Sequence, residues 1–543
     1  MPAKETELFI ALVAALGTDV GMVGNELETQ LSSYGYTTYL LRLSGYLAEL
    51  RGKKLDDLPH DMLLYEAMSA GDALRRDWQR GDALALAAVS DIVATRREQA
   101  AVIANAPEDT PANLDRAAFI IRSLKTPDEL RTLRAVYGPR LLVIAAYSPE
   151  PKRKEQLAEE IRASRKNGDV ASWSYTPDEL IARDMDEELV GGQDVSDTFH
   201  RADFFIRGWD KDVARPDIER ALEIIFGHPY RTPTRDEHAQ FLAAGEARRS
   251  SEPGRQVGAA IARADGAVVA LGTNEVPIAG GGSFREGDLG PDNREFAVND
   301  IETNRLYQTE LATKMGNAVA GTLADRLEQY GVDDGIRASI EADLADQLPE
   351  KLLGSGLKEI TEFGRAVHAE MDALLDAARR GIPVEGCTAH TSTFPCHNCA
   401  RHLVAAGIRR IVFVEPYPKS RARDLHDDSI GFPAEESADK ITFEPFVGLA
   451  PRRYLDYFDA TAREELAGQA RKTIEGAICD FDKLNAVPLF TDLVVPDDLR
   501  PLLPPYRQRE LIALNRFDDL RARGVVADDR STEYNNNDDT GKG

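Results

Sequence analysis

A histidine and two cysteines in the second half of the chain have the residue types and the order of a metal site. His368 stands in His-Ala-Glu, and Cys396 and Cys399 stand in Pro-Cys-His-Asn-Cys. One imidazole and two thiolates give Zn²⁺ three ligands and leave the fourth tetrahedral position open for water, as a catalytic zinc requires. The ion brings the pKa of that water close to neutrality. The sequence therefore predicts a catalytic zinc site.

Glu370 lies two positions after His368, and side chains two positions apart on a helix diverge by roughly 200°. It is therefore expected to stay off the metal and to move protons. His-x-Glu followed by Pro-Cys-x-x-Cys is the signature of zinc-dependent nucleobase deaminases. Deamination adds water to the carbon that bears the amine and releases ammonia, and one carboxyl group can serve each proton transfer if it contacts both water and base.

A structural zinc site is the alternative, as a remnant of a zinc ribbon next to an unrelated helical histidine. A ribbon needs a second pair of closely spaced cysteines. Cys387 and Cys479 each stand alone, which favours the catalytic site.

The elements expected to position this site follow the order β-β-α-β-α-β. A hairpin turning at 264–266 comes first, and a helix ending at Gly381 follows an acidic, mainly helical insertion over about 284–363. The remaining elements are a strand at 387–394, a helix at 398–406 and a strand at 409–415. This pattern predicts an α/β domain over 226–450, with His368 and Cys396 at the starts of two helices.

The first 225 residues alternate apolar runs with amphipathic stretches, which is typical of a doubly wound α/β domain. The predicted strands are 8–16, 36–43, 117–124, 140–147 and 202–206. After the first strand, Gly17, Thr18, Asp19 and Gly21 have the layout of a phosphate-binding loop. Val23 stands where such a loop has lysine, so a plain strand-to-helix turn is the alternative.

Beyond these two domains, residues 451–526 are expected to form a helical extension that ends in a short helix. The polar end, 527–543, offers nothing to bury and is expected to be disordered.

The chain has 543 residues and a net charge of -26, from 66 basic and 92 acidic residues. Such a charge disfavours bulk binding to nucleic acids or anionic membranes. No apolar run is long enough to cross a membrane, and the start lacks a signal-peptide pattern. A cytoplasmic protein is expected.

The motif context resembles bacterial anti-phage deoxycytidylate deaminases, which join an N-terminal P-loop kinase-like domain to a zinc deaminase of the cytidine deaminase superfamily. The resemblance rests on TEFGRAVHAEMDALLDAARRG, TSTFPCHNCARHLVAAGI and VEPYPKSRARDLHDDSI. It implies a mixed five-stranded deaminase sheet, Zn²⁺ as cofactor, dCTP or dCMP as substrate, and defence by depletion of dCTP. It also implies a homo-oligomer and control by a regulatory nucleotide or an antitoxin RNA.

Substrate-binding residues are carried over from the same resemblance. Asn274 matches the position that grips the sugar hydroxyl and base edge, with closure of the hairpin as the alternative. Arg255 and Lys419 are candidates for the phosphates, although each could be a solvated cation on a loop. Tyr417 completes this set.

Two other functions are compatible with a deaminase motif. A deaminase that edits RNA or single-stranded DNA would need a basic channel and stacking aromatic residues, and the acidic insertion argues against one. A module that only senses a nucleotide or RNA would not need the proton carrier Glu370.

Overall fold

The structure is a computed structural model. It describes residues 7–51, 58–104, 114–165, 173–185, 194–360, 362–416, 420–433, 439–461, 464, 471–472, 477–489 and 506–531. By its internal contacts the chain divides into two compact units. Unit 1 comprises Met1–Glu237 and Pro445–Gly543, and unit 2 comprises His238–Glu444. This division does not test the domain boundaries that were expected at residues 225 and 450, and these stay predictions.

The strands are β1 Leu8–Val13, β2 Thr37–Arg42, β3 Ala117–Leu124, β4 Leu141–Tyr147, β5 Phe204–Arg207, β6 Gly258–Ala262, β7 Val268–Thr273, β8 Thr388–Thr393, β9 Arg410–Glu415, β10 Ile430–Gly431, β11 Ile441–Pro445 and β12 Gly448–Leu449.

The helices are α1 Val20–Ser32, α2 Gly45–Arg51, α3 His60–Trp78, α4 Ala83–Ala104, α5 Pro127–Tyr137, α6 Glu150–Ala163, α7 Pro177–Met185, α8 Val195–Phe199, α9 Lys211–Ile225, α10 Arg235–Ala247, α11 Glu295–Val298, α12 Thr303–Gln329, α13 Asp334–Gly354, α14 Ala369–Arg379, α15 His397–Ala405, α16 Ala422–Leu425, α17 Tyr454–Phe458 and α18 Tyr506–Ser531.

Unit 1 contains a sheet in the order β12-β5-β4-β1-β3-β2, in which β1 to β5 are parallel and β12 is antiparallel. Every residue of the central strand β1 is buried, as expected for a parallel strand that is covered on both faces. Leu8, Ile10 and Leu12 belong to a core with α1 and α9. On the other face, Phe9 stacks on Tyr137 of α5. The predicted doubly wound sheet is therefore present.

Unit 2 contains a second sheet in the order β10-β11-β9-β8-β6-β7. The pairs β6–β7 and β6–β8 are antiparallel, whereas β8–β9 is parallel. The predicted order β-β-α-β-α-β is confirmed by β6, β7, α14, β8, α15 and β9, and α12 and α13 form the expected helical insertion. The expected five strands are corrected to six, because β11 and the two-residue β10 extend the sheet beyond β9.

Two other expectations about the C-terminal segment need correction. Residues 477–484 contain no helix, although the periodicity of residues 452–484 predicted one; before them the structure describes the short helix α17. The final helix, α18, has 26 residues and is not short. It runs past 527 to Ser531, and the remainder of the expected disordered tail lies outside the described residues.

Unit 2 needs glycine where two helices lie close to its sheet. A Cβ on Gly272 of β7 would lie 2.2 Å from the carbonyl oxygen of Ala369, at the start of α14. A Cβ on Gly258 of β6 would lie 2.0 Å from the carbonyl oxygen of Ala243 on α10. Both distances are far inside van der Waals contact, so the two glycines set how closely α14 and α10 approach the sheet.

No helix in the described ranges is both long and apolar enough to span a membrane.

Candidate metal centre and active site

The three predicted metal ligands lie together in unit 2. His368 is the N-cap residue of α14, and Cys396 is the N-cap residue of α15. Nδ1 of His368 lies 3.3 Å from Sγ of Cys396 and 3.4 Å from Sγ of Cys399. The three ligand atoms are all within 4.8 Å of one another.

These distances fit one zinc ion. Tetrahedral bonds of about 2.0 Å to nitrogen and about 2.3 Å to sulfur place neighbouring ligand atoms roughly 3.6 Å apart. Both cysteines are buried, and the donor set is one imidazole and two thiols. His368, Cys396 and Cys399 can therefore hold Zn²⁺ and leave one position open.

Helix geometry favours negative charge at this point. The side chain of Cys396 accepts a hydrogen bond from the backbone N–H of Cys399, at 3.5 Å, in the first turn of α15. The positive ends of α14 and α15 both lie at the ligand cluster, and a helix N-terminus stabilises a thiolate. A hydrogen bond with the side chain of Cys399 and the nearby imidazole of His368 lower the pKa of Cys396 to about 4.

Glu370 lies beside the ligand cluster without belonging to it. It is 4% exposed, and it hydrogen-bonds the Cys399 side chain. Burial raises the pKa of Glu370 above its usual value, and the negative charge of Cys396 adds to the rise. A buried carboxyl group beside a cluster of metal ligands is well placed to receive and return protons.

The end of β7 brings Asn274 to the same region. The next residue, Glu275, pairs with Val367 as an isolated antiparallel bridge directly before His368. The backbone N–H of Thr273 donates to Asp372 of α14 at 3.1 Å. These contacts hold the end of β7 against the first turns of α14.

Both ends of the Asn274 amide are bonded to the preceding loop. Its Oδ1 accepts from the backbone N–H of Val257, and its Nδ2 donates to the carbonyl of Arg255, each at 2.7 Å. These two hydrogen bonds support the alternative role, in which Asn274 closes the hairpin. The role of Asn274 in holding a sugar stays a prediction.

Arg255 is half exposed and forms an ion pair of 2.9 Å with Glu415, at the end of β9. Glu415 thus partly neutralises the charge of Arg255 when no phosphate is bound. Tyr417 and Lys419, the other predicted substrate residues, lie outside the described residues.

Glu252 is not among the site residues predicted from the sequence, because a glutamate in Ser-Glu-Pro-Gly usually lies in a solvated turn. Here its Oε1 atom is buried and has no hydrogen-bond partner within the described part of the chain. Burial and repulsion from Glu275 raise the pKa of Glu252 to about 7. Its charge also acts on His368, so it contributes to the electrostatics of the site.

The four residues of the predicted phosphate-binding loop belong to unit 1: Gly17, Thr18 and Asp19 lie between β1 and α1, and Gly21 lies in the first turn of α1. Gly17 has φ of +82°, and a Cβ there would lie 2.5 Å from the carbonyl oxygen of Arg153, so this position requires glycine. Asp19 caps α1 by accepting from the backbone N–H of Met22 at 2.8 Å. The neighbouring backbone N–H of Leu16 is also bonded to a protein carboxylate, at 2.7 Å from Asp184.

Comparison with known proteins places the metal centre in a known family. Residues 233–415 match the model of the cytidine and deoxycytidylate deaminase zinc-binding region. A deoxycytidylate deaminase of Enterobacteria phage T2 is 40% identical over 55 residues, which are 10% of this chain and 29% of that protein. The deoxycytidylate deaminase of Pongo abelii is 26% identical over 120 residues, which are 22% of this chain and 62% of that protein.

A crystal structure of dCMP deaminase from the cyanophage S-TIM5, in apo form, is 13% identical with a TM-score of 0.21, over 40% of this chain and 100% of that chain. The chain spans less than two thirds of the length of either sequence relative. The family match covers the elements from α10 to β9 and includes all three zinc ligands and Glu370. The region 233–415 therefore belongs to the cytidine and deoxycytidylate deaminase family.

Proposed function

We propose that the chain is a zinc-dependent hydrolase that deaminates free deoxycytidine nucleotides, dCMP or dCTP, to the uracil nucleotide and ammonia. The observation that carries the proposal is the grouping of His368, Cys396 and Cys399 with the buried carboxyl of Glu370 beside them. Bound zinc would supply a Lewis acid that activates water. Glu370 would take a proton from the water and pass it to the ring nitrogen, and it would then move the proton of the hydroxyl added to the carbon onto the amine, which departs as ammonia.

The nucleotide class of the substrate is supported by the relatives, which are named deoxycytidylate deaminases. Arg255 and Lys419 would hold the phosphates, and Asn274 the sugar. The proposed role in defence against phage, by depletion of dCTP, rests on the resemblance of the motifs. Assembly into a homo-oligomer and control by a regulatory nucleotide or an antitoxin RNA rest on the same resemblance.

For unit 1 we propose a P-loop kinase-like domain that does not hydrolyse nucleoside triphosphates. The parallel sheet and the loop before α1 support that fold. Catalysis in P-loop enzymes needs a loop lysine and a Ser or Thr that binds Mg²⁺. Val23 and Gly24 stand at those positions, and both are buried in α1.

A panel of cytosine compounds tests the proposed reaction. The purified chain, loaded with zinc, is incubated with dCTP, dCMP, deoxycytidine and cytosine, and the uracil products and ammonia are quantified. We expect both nucleotides, or one of them, to react far faster than deoxycytidine or cytosine. Equal turnover of deoxycytidine and its phosphates, or activity on an oligonucleotide alone, would contradict the assignment.

A further inference from the structure

The helical insertion of unit 2 is a hairpin of two long helices. α12 has 27 residues and α13 has 21. Nδ2 of Asn304 and Nε2 of Gln308 both donate to the carbonyl of Ile360, at 2.9 and 2.6 Å, and hold the base of the hairpin. The extensive packing that the structure describes for the hairpin is of α12 on α13, and of both helices on the one-turn helix Leu357–Glu359. The hairpin is therefore attached to unit 2 at its base.

The contact between the two helices uses a row of mostly small residues on α12. The residues of this row lie four apart and are buried: Gln308, Ala312, Gly316, Ala320 and Ala324. A Cβ on Gly316 would lie 3.3 Å from Cβ of Leu348 on α13. Because most of these side chains are small, they let α13 approach closely but bury little apolar surface.

The large apolar side chains of the hairpin form two other rows, and residues four apart make a ridge along a helix. The rows are Leu311, Met315, Val319, Leu323 and Leu327 on α12, and Ile336, Ile340, Leu344, Leu348 and Leu352 on α13. None of these ten side chains is buried by the described part of the chain. Met315, Val319 and Leu323 are 41%, 51% and 39% exposed. Amphipathic helices bury such rows against another element, so the hairpin presents an apolar face that its own unit leaves open.

The size of this face matches a stable protein interface. Helices of 27 and 21 residues are roughly 40 and 32 Å long and about 10 Å wide, so one face of the hairpin measures roughly 700 Å². Two such faces together bury roughly 1,400 Å², within the range of about 1,200 to 2,000 Å² for specific interfaces. Exposed apolar patches of this size on soluble proteins mark contact surfaces. A second hairpin would therefore supply the area that a stable pair needs.

The charges on α12 favour a second copy of the chain as the partner. The helix carries three basic and three acidic residues: Arg305, Lys314, Arg326, Glu310, Asp325 and Glu328. A helix without net charge meets no net repulsion from its own copy, and it offers little attraction to a strongly charged partner. α13 has five acidic and two basic residues, so the pair is expected to be centred on α12.

The row on α12 is also complementary to itself. An interface between two identical chains related by a two-fold axis uses the same patch on both copies. When two copies of the row lie antiparallel, the middle residue Val319 meets its own copy. Met315 of each copy then lies opposite Leu323 of the other, so aliphatic side chains meet along the row.

We propose that the hairpin of α12 and α13 is a contact surface between two copies of this chain, which pair their apolar rows as a four-helix bundle. Bundles of this kind bury rows from four helices in one core. The inference rests on the proposed homo-oligomer, for which it names the surface, and it does not depend on the proposed deaminase reaction.

Sedimentation equilibrium of the zinc-loaded full chain at micromolar concentrations tests the surface. We expect the unsubstituted chain to have the mass of two copies or of a multiple of two. Val319→Glu should raise the dissociation constant of the pair by about 100-fold or more, because each pair would bury two unpaired carboxylates at its centre. Met315→Glu, one turn earlier in the same row, should act in the same direction. Glutamate favours a helix at least as well as valine does, so the unfolding midpoint in urea should not fall.

Asn317→Glu is the matched control. Asn317 is exposed on the same helix, and its side chain points roughly 200° around the helix from that of Val319. The same charge at this position should leave the mass unchanged. The mass is measured without substrate, so an inactive chain still tests the surface, and an active monomer would refute the surface without refuting the reaction.

The proposal is wrong if the unsubstituted chain is a monomer throughout the concentration range, which would leave the face to a different protein. It is also wrong if Val319→Glu and Met315→Glu associate as tightly as the unsubstituted chain does. Dissociation by Asn317→Glu to the same extent as by Val319→Glu would refute it as well, because added charge anywhere on α12 would then suffice.

Discussion

Glu370 lies against the cysteine side chains but is not one of the three grouped ligands, so metal binding and proton transfer can be separated by substitution. Glu370→Gln keeps the shape of the side chain and should lower deamination by about 10²- to 10⁴-fold. Zinc content, measured by mass spectrometry, should stay near one ion per chain.

The matched variant Cys396→Ala removes a ligand and should lose both zinc and activity. Loss of zinc from Glu370→Gln, or normal turnover by it, would refute the division of roles.

Because Arg255 and Glu415 form an ion pair, we expect substitutions of these two residues to change KM for dCMP in opposite directions. If Arg255 holds a phosphate, Arg255→Gln should raise KM for dCMP by about tenfold, with little change for deoxycytidine. Glu415→Gln releases the guanidinium group and should lower KM for dCMP. Steady-state kinetics on both substrates decide this, and equal effects on dCMP and deoxycytidine would argue for a purely structural pair.

At the scale of elements, the contact between β7 and α14 positions the metal ligand His368. Gly272→Ala places a methyl group on the backbone of α14, and overpacking of this kind costs roughly 1 to 3 kcal/mol. We expect a lower unfolding midpoint in urea and weaker zinc retention.

Gly245→Ala is the control for this substitution. A Cβ at Gly245, inside α10, meets nothing within 4 Å. Alanine in place of glycine in a helix stabilises by about 0.5 to 1 kcal/mol, so the midpoint should rise. A Gly272→Ala variant that is as stable as this control would show that α14 can shift away from β7 without a loss of stability.

The sequence predicted the elements around the metal centre because local patterns encode them. His-x-Glu and Cys-x-x-Cys fix the ligands through spacing, and the hairpin around 264–266 has its own turn signal. The strands β10 and β12 have two residues each and carry no such signal. They form only because distant partners are in place, as β12 does by pairing with β5. The contacts of Asn274 and the burial of Glu252 also depend on chain segments that the local sequence does not specify.

At the scale of the whole molecule, a buried ion cluster fastens α18 to the rest of unit 1. Arg96 of α4 forms ion pairs of 2.9 Å with both Glu7 and Glu510. Tyr506 donates a hydrogen bond of 2.5 Å to Glu7. Removing one member of a buried charge cluster leaves the others uncompensated.

Arg96→Met should therefore destabilise unit 1 by roughly 3 to 5 kcal/mol, seen as a lower transition in calorimetry. Limited proteolysis should also cut within α18 earlier. Arg131→Gln, which breaks an exposed pair with Asp128, should cost no more than about 1 kcal/mol. Equal stability of the two variants would show that α18 is held by its apolar contacts alone.

Glu7 and Glu510 meet in one cluster although they stand near opposite ends of the chain, and unit 2 is encoded between them. During synthesis the ribosome releases β1 early, but the last helix of the same unit emerges only after the whole deaminase region. Domains fold as units as they leave the ribosome. Unit 2 can therefore fold before α18 has been synthesised, whereas unit 1 is complete only once α18 is present. Translation products truncated before α18 would contain a folded deaminase region joined to an incomplete unit 1.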